Sequence, residues 1–210
     1  MTPNDKVLLS IAYLPPIQYF KEIINAKTVV IEKHENYCKQ SYRNRCTIYG
    51  ANGQLPLTIP VEKGNSAKTK ISDIKIAYYE KWQNRHWKSI ESAYRSSPFF
   101  EFYLDEFLPF YTKKFKFLFD FTIQLLQTIL TNTGIRADIQ FTTEYIKTQN
   151  MPDNRNTIHP KISPQYHEYP KYYQVFAAKH GFIPNLSIID LMFNTGNQTT
   201  DYLSEKTTSY

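Results

Sequence analysis

The first 32 residues carry a strand–helix–strand pattern, the feature that most restricts how this chain can fold. Lys6 to Ala12 is an apolar run typical of a buried strand, and Thr28 to Glu32 is rich in β-branched residues and typical of a second. Between them, Pro15-Pro16 precedes a short amphipathic helix that we expect to end near Asn25. When a helix joins two strands of one sheet, the strands are parallel and the crossover connection is right-handed. The pattern therefore predicts an α/β core with a partly parallel sheet.

A β-hairpin is predicted next along the chain. Arg43 to Tyr49 and Leu55 to Val61 flank Asn52-Gly53, a dipeptide that favours a tight hairpin turn. Two prolines on one face of the second strand predict that it lies at an edge. Ile71 to Ile76 also alternates, and we expect it to extend the hairpin into a small mixed sheet.

Three helices and one further strand are expected in the centre of the chain. An amphipathic helix with one basic side is expected over Trp82 to Arg95, and an aromatic-rich helix over Pro98 to about Tyr111. A helix that is apolar nearly all round is expected over Phe115 to Thr131, and a strand over Ala137 to Thr142. Gly134 stands where a helix C-terminal cap belongs. A last short helix is expected over Leu186 to Asn194, ending at Gly196.

The segment 147–171 is polar and has no periodicity, and it holds four prolines: Pro152, Pro160, Pro164 and Pro170. Loops of this length are typical of lids, binding loops or mobile segments. We expect a single α/β domain over residues 1–196 that includes this Pro-rich loop. A polar tail over residues 197–210 is expected to form one more turn near 201–204.

The composition indicates an ordinary globular protein and argues against several classes. No stretch approaches the roughly 18 apolar residues of a membrane span, and no leader pattern is present, so we expect a cytoplasmic location. Only 6 glycines argue against a glycine-rich phosphate loop. Cys38 and Cys46 are expected to be free thiols. A net charge of +6 without a dense basic block does not indicate nucleic acid, and suits an anionic small molecule equally well.

Three segments carry a recognisable combination of motifs. The first segment is Ala12-Tyr13-Leu14-Pro15-Pro16-Ile17-Gln18-Tyr19-Phe20. The second runs from Asn44-Arg45 through Asn52-Gly53 and Pro60-Val61 to Trp82, His86 and Pro98-Phe99-Phe100. The third runs from Phe182 through Asn185 and Asp190 to Gly196. In this order they resemble the WbqC-like protein family. The chain departs from the family pattern at Ile11-Ala12, where the family often has Gln-Pro, and at Gln18, which replaces a glycine. No role tied to those family residues is carried over.

This resemblance implies a largely uncharacterised protein associated with surface-polysaccharide (O-antigen type) biosynthesis. Transfer of an amino acid onto a sugar has been proposed for such gene clusters.

His86 is the candidate catalytic residue. It lies between Trp82 and Ile90 on the apolar side of its helix, so the default interpretation is a core or boundary histidine with one hydrogen bond. The alternative is a general base that points into a cleft at the sheet edge.

Four residues are candidates for substrate binding. Tyr13 and Tyr19 flank the turn that leaves the carboxyl end of the first strand, where open α/β sheets place ligands, and could stack on a sugar or base. Packing under the loop is the equally weighted alternative. Arg43 and Arg45 share one strand face and could grip a phosphate or carboxylate, although a solvated strand face is the simpler interpretation. Asn44, on the opposite face, is expected to be a buried amide that anchors a loop.

The remaining polar residues favour structural roles. Ser187 and Asp190 fit a capping box, and Asn194 fits a helix cap or turn. The five histidines and two cysteines lack the spacing of a zinc site, so we expect no metal and no cofactor. A metal site formed by His34, Glu35, Cys38 and Cys46 is a remote alternative. A cysteine nucleophile has no evident partner.

Two functional hypotheses follow. The first is a metal-independent transferase of surface-glycan biosynthesis that moves an aminoacyl or acyl group to an amino sugar, with Arg43 and Arg45 on an anionic donor and His86 as proton acceptor. The second is a non-catalytic module that binds a glycan or nucleotide-sugar. The sequence leaves the donor, the acceptor and the oligomeric state open.

Overall fold

The computed structural model describes residues 4–62, 68–147, 150–166 and 169–204. Within these residues the elements follow in this order: β1 (Asn4–Leu9), α1 (Ile17–Ile24), β2 (Ala26–Ile31), β3 (Arg45–Gly50), β4 (Gly53–Thr58), α2 (Trp82–Tyr94), α3 (Phe100–Thr112), α4 (Leu118–Thr133), β5 (Asp138–Phe141), α5 (Ala177–His180), α6 (Ile188–Thr195) and α7 (Thr199–Ser204). The fold is mixed α/β, as the sequence predicted.

The central sheet is parallel and has the order β1-β2-β5. Lys6 pairs with Thr28, and Thr28 pairs in turn with Asp138, so the strand–helix–strand unit and the later strand join one sheet. The parallel pairing of β1 and β2 is therefore confirmed. β1 ends at Leu9 rather than at Ala12, because the chain then leaves the sheet and Tyr13 N donates to the carbonyl of Tyr42.

The hairpin of β3 and β4 forms a separate two-stranded antiparallel sheet. Its turn places Gly53 at a φ of 99°, a backbone conformation that favours glycine. The predicted extension by Ile71 to Ile76 is wrong. Ile71–Asp73 is a 3₁₀ turn, and only an isolated bridge joins Val61 to Ile76. Ile71 and Ile74 are both buried, and their separation of three residues suits a helical turn better than a strand.

The helices pack their aromatic faces around Phe193 of α6. The rings in contact with Phe193 belong to α2 and α3, with centroids 5.4–6.1 Å away: Tyr94, Phe100, Tyr103 and Phe107. The apolar side predicted for α2 is buried as expected, and Gly134 ends α4 at a φ of 69°. No helix in the described part of the chain is both long and apolar enough to cross a membrane.

Residues 152–154 lie against the outer edge of β1. Leu8 N donates to the carbonyl of Pro152, and Asn154 N donates back to the carbonyl of Leu8. This part of the predicted Pro-rich loop thus extends the sheet at its β1 edge. Positions 148–149 and 167–168, which include His167, and positions 205–210 of the expected tail lie outside the described residues. The single turn expected near 201–204 is the longer helix α7, and the domain bounds stay a prediction.

Gly196, directly after α6, offers a test of this packing. It has a φ of 57°, and a Cβ atom there would meet the Phe99 ring at 2.6 Å. We expect Gly196→Ala to lower the free energy of unfolding by about 2–3 kcal/mol, because backbone strain adds to the clash. Gly134→Ala is the matched control, since its φ is also positive but nothing lies within 4 Å, and about 1 kcal/mol is expected. If urea unfolding gave the same loss of unfolding free energy for Gly196→Ala and Gly134→Ala, the Phe99 ring would accommodate the added Cβ atom without an energetic cost.

Candidate functional site

Charged side chains collect where the parallel strands end. Ser10 follows β1, Glu32 follows β2 and Thr142 follows β5, so all three lie at the carboxyl edge of the sheet. Two arginines from outside the sheet, Arg43 and Arg155, meet them there, and all these side chains are buried. We call Ser10, Glu32, Glu35, Arg43 and Arg155 the sheet-edge network. Its position is the one where open α/β sheets bind ligands.

One half of the network is the ion pair of Arg43 and Glu35. Arg43 Nε lies 2.8 Å from Glu35 Oε1, and its Nη2 binds the second oxygen of the same carboxylate. Arg43 Nη2 also donates to Ser10 Oγ at 2.7 Å, and Ser10 Oγ donates to the backbone carbonyl of Arg155 at 3.1 Å. Arg43 precedes β3, so its expected place on the solvated face of that strand is wrong: only 3% of it is exposed, because the guanidinium turns inward to Glu35.

The other half is the ion pair of Arg155 and Glu32. Arg155 Nη1 donates to Glu32 Oε2 at 2.9 Å, and Thr142 Oγ1 donates to Glu32 Oε1 at 2.7 Å. The backbone N–H groups of His34 and Ile146 complete the contacts of this carboxylate. Each buried carboxylate therefore faces a guanidinium that balances its charge, and Arg155 also pairs with Asp153 at 2.9 Å.

Arg45 stands apart from this balance. Arg45 is half-buried, and within the described residues its side chain forms no hydrogen bond or ion pair, with Nε shielded from solvent. His159 is near it: burial lowers the pKa of His159, and the charges of Arg43, Lys161 and Arg45 lower it further. His159 is therefore neutral at pH 7. We call Arg45, His159 and Lys161 the Arg45 surface, a positive region beside the sheet edge.

His86 lies in a second buried cluster. Its Nδ1 is 3.0 Å from the Tyr13 hydroxyl, which is 3.0 Å from the Tyr111 hydroxyl. Burial lowers the pKa of His86 to about 4, with the Arg85 charge acting in the same direction and a hydrogen bond with the Thr58 backbone opposing it. Only 2% of His86 is exposed, so this geometry favours the core interpretation, and its catalytic role stays a prediction.

Tyr13 and Tyr19 are buried as well, with 0% and 2% of their surfaces exposed. The Tyr19 hydroxyl donates to the carbonyl of Ser10 at 2.8 Å, which ties this side chain to the sheet-edge network. Burial, followed by the charge of Glu35, raises the pKa of Tyr19. The packing interpretation fits both tyrosines, and their role in substrate binding stays a prediction.

The expected capping box at α6 is wrong. Ser187 makes no side-chain cap and its Oγ donates instead to the carbonyl of Leu14 at 2.9 Å. Asp190 Oδ2 accepts hydrogen bonds from Tyr172 at 2.6 Å and from Gln174 at 2.8 Å. Burial raises the pKa of Asp190, and these hydrogen bonds partly offset the rise. The carboxylate therefore holds segment 172–174 on α6.

Asn44 is buried and donates to the carbonyl of Ile59, as expected of a loop anchor.

Within the residues that the structure describes, no three His, Cys, Asp or Glu side chains are placed to hold a metal ion. Glu35, a member of the remote alternative set, is engaged with Arg43. Cys38 and Cys46 are both free thiols. Burial raises the pKa of Cys46, which keeps it a thiol rather than a reactive thiolate.

The sequence matches the model of the WbqC-like protein family over residues 12–159 and 152–202. The chain belongs to the WbqC-like protein family. It is also 26% identical over 220 residues to "Uncharacterized protein Rv1507c" of Mycobacterium tuberculosis (strain ATCC 25618 / H37Rv), covering 91% of this chain and 94% of that protein. No solved structure matches it. The matched ranges of this WbqC-like chain include the hairpin, α2 and most of the sheet-edge network.

Several residues of the site escaped the sequence analysis. Glu32 could have been found, since an acidic residue that directly follows a buried parallel strand lies at the ligand-binding edge. Arg155 and His159 carried no signal, because they lie in a polar loop without periodicity. The sequence analysis treated Arg43 and Arg45 as one anion-binding pair. In the structure Glu35 neutralises Arg43, whereas Arg45 has no carboxylate partner among the described residues.

Proposed function

We propose that this protein is a metal-independent transferase of surface-polysaccharide biosynthesis that moves an acyl or aminoacyl group from an anionic donor to an amino sugar. Family membership supports the biological setting, through the association of WbqC-like proteins with such gene clusters. The observation that carries the chemistry is Arg45. It has no carboxylate partner among the described residues, whereas Arg43 faces Glu35 and Arg155 faces both Glu32 and Asp153.

The donor's phosphate or carboxylate would bind on the Arg45 surface. A guanidinium binds such groups through two parallel hydrogen bonds, and Lys161 adds a second positive charge. Lys161 N lies 3.2 Å from His159 Nδ1, so the neutral ring carries its proton on Nε2 and can donate it in a hydrogen bond to the anion. Arg43, two residues before Arg45, is held in place by its contacts with Glu35 and Ser10.

The transfer itself is an attack of the acceptor's amine nitrogen on the acyl carbon. The bond between that carbon and the donor's oxygen or sulfur breaks, and the leaving group departs as an anion that Arg45 stabilises. The ammonium proton passes to a base, for which the sequence predicts His86. Near wild-type turnover by His86→Gln would remove His86 from this role.

The proposal predicts which ligands stabilise the protein. In a thermal-shift screen of nucleotide-sugars, nucleotides, and acyl and aminoacyl donors, an anionic donor at about 100 times its Kd adds about 2.7 kcal/mol to the free energy of unfolding. We expect Arg45→Gln to abolish most of this shift. Arg95→Gln is the matched control, because Arg95 is exposed at the end of α2 and pairs with Glu91.

The screen also separates the two hypotheses. An anionic donor that stabilises the wild type and is then turned over supports the transferase. Stabilisation by a glycan alone, unchanged in Arg45→Gln, would instead make the protein a binding module. An equal loss in Arg45→Gln and Arg95→Gln would contradict a specific role for the Arg45 surface.

A further inference from the structure

A second concave surface lies at the opposite end of the hairpin. The turn between β3 and β4 and the exposed side of α2 enclose a groove of about 620 Å³, which we call the turn–helix groove. This volume is in the range of small-ligand pockets, roughly 300–1,000 Å³. We infer that the turn–helix groove binds a phosphate-bearing small molecule of the nucleoside diphosphate class.

The groove carries a positive charge at one end. Lys81, Arg85 and Lys88 line it, and their spacing of four and three residues places them on one side of α2. Arg85 Nη2 pairs with Glu80 at 2.7 Å. Lys81 and Lys88 form no ion pair within the described ranges. Two cations of the groove therefore have no carboxylate to neutralise them, and a diphosphate would supply the missing negative charge.

The N-terminus of α2 adds to this positive end. The helix has 13 residues, Lys81 at its N-cap makes no side-chain cap, and its first turn has no acidic residue. The only carboxylate that the described structure pairs with this turn is Glu80, on Arg85, and the partial positive charge of the first N–H groups favours an anion there. Lys81, Asn84 and Arg85 bring this first turn into the groove lining.

The other end of the groove is suited to an uncharged group. Leu55, which is 37% exposed, and the exposed Ala51 provide apolar surface, and Ser89 and Ser92 also line the groove. From Lys81 to Ser92 the helix rises about 16 Å, long enough for a diphosphate and an attached nucleoside. The order of charged and apolar surface thus matches a ligand with phosphates at one end and a flat, partly apolar group at the other.

This groove has no lining residue in common with the Arg45 surface. Arg45 begins β3 and Gly50, at the turn end of the groove, ends it, so about 17 Å of strand separates Arg45 from that end. The inference therefore goes beyond the proposed function and can fail without it. A protein with both sites would hold two anionic ligands, or two ends of one long donor.

The test is calorimetric titration of the full chain with uridine diphosphate, pyrophosphate and uridine. We expect uridine diphosphate to bind more tightly than either part alone. The double variant Lys81→Gln/Lys88→Gln should weaken its binding roughly tenfold, since each exposed ion pair contributes a few-fold. Lys75→Gln/Lys113→Gln, which removes two exposed lysines outside the groove, is the matched control, with less than about a twofold effect expected.

Three results would overturn the inference: no heat with millimolar uridine diphosphate, equal weakening in both double variants, or binding that Arg45→Gln abolishes and Lys81→Gln/Lys88→Gln does not. The third result would place the ligand on the Arg45 surface and leave the proposed function standing. Weakening in Lys81→Gln/Lys88→Gln alone, with Arg45→Gln unchanged, supports the groove.

Discussion

Replacing Arg43 with alanine is expected to lower the free energy of unfolding by about 3–5 kcal/mol, measured by urea unfolding. The cause is the carboxylate left behind. Glu35 is buried, and Arg43 binds both of its oxygens, so the variant keeps a buried charge without its partner. Ser10 Oγ loses a charged donor in the same change. This loss is large beside a typical domain stability of roughly 5–15 kcal/mol.

Two further variants separate charge from packing. Arg45→Ala should cost less than about 1 kcal/mol, because this guanidinium has no ion pair in the described structure. The double change Arg43→Met/Glu35→Leu should recover most of the stability, since apolar residues of similar volume often replace a buried ion pair without loss. If Arg43→Ala were no more costly than Arg45→Ala, the bidentate pair with Glu35 would not be a structural element of the fold.

Arg43 and Arg45 have different expected roles: Arg43 stabilises the fold, whereas Arg45 is proposed to bind the donor. Buried ion pairs hold the ends of β1 and β2 to the Pro-rich loop, through contacts that Ser10, Glu32 and Arg155 share. They leave little free charge for a ligand. Arg45, two residues after Arg43, has no carboxylate partner among the described residues, and its charge is the one that the proposed function uses.

Much of this fold follows from local sequence patterns. The β-branched run around Val29, the Asn52-Gly53 turn and the apolar side of α2 each correspond to an element near the expected position. In each case the pattern repeats at the period of the structure and does not depend on distant partners. Such segments are predictable because burial and backbone preference favour the same conformation.

The errors have a common physical origin in distant contacts. Glu32 meets Arg155 across 123 positions of sequence, and no local pattern joins them. Asp190 fits a capping box locally, but the hydroxyl of Tyr172, eighteen positions earlier, binds its carboxylate instead. The sequence thus placed Tyr13 and Tyr19 next to the carboxyl end of β1, whereas the pairing of charges found there required the tertiary structure.

The stability of the protein should fall as the pH is lowered from about 6.5 to about 4, with His86 as a major cause. The pKa of His86 is about 4 in the folded protein and near 6.5 in an unfolded chain. Between these values the unfolded state binds a proton that the folded state does not, so added protons favour unfolding. The contribution of His86 is complete above pH 6.5 and is lost by pH 4, which corresponds to about 3 kcal/mol.

The variant His86→Gln isolates this effect from other titrating groups. Asp190 and Glu22 have raised pKa values in the folded protein, so protonation in acid stabilises the folded state at those sites and opposes the His86 effect. Subtracting the urea-unfolding pH profile of His86→Gln from that of the wild type cancels these carboxylates. The difference should rise by about 3 kcal/mol from pH 4 to pH 7. A flat difference would mean that His86 is protonated as easily when folded, and would support an imidazole that reaches solvent in a cleft.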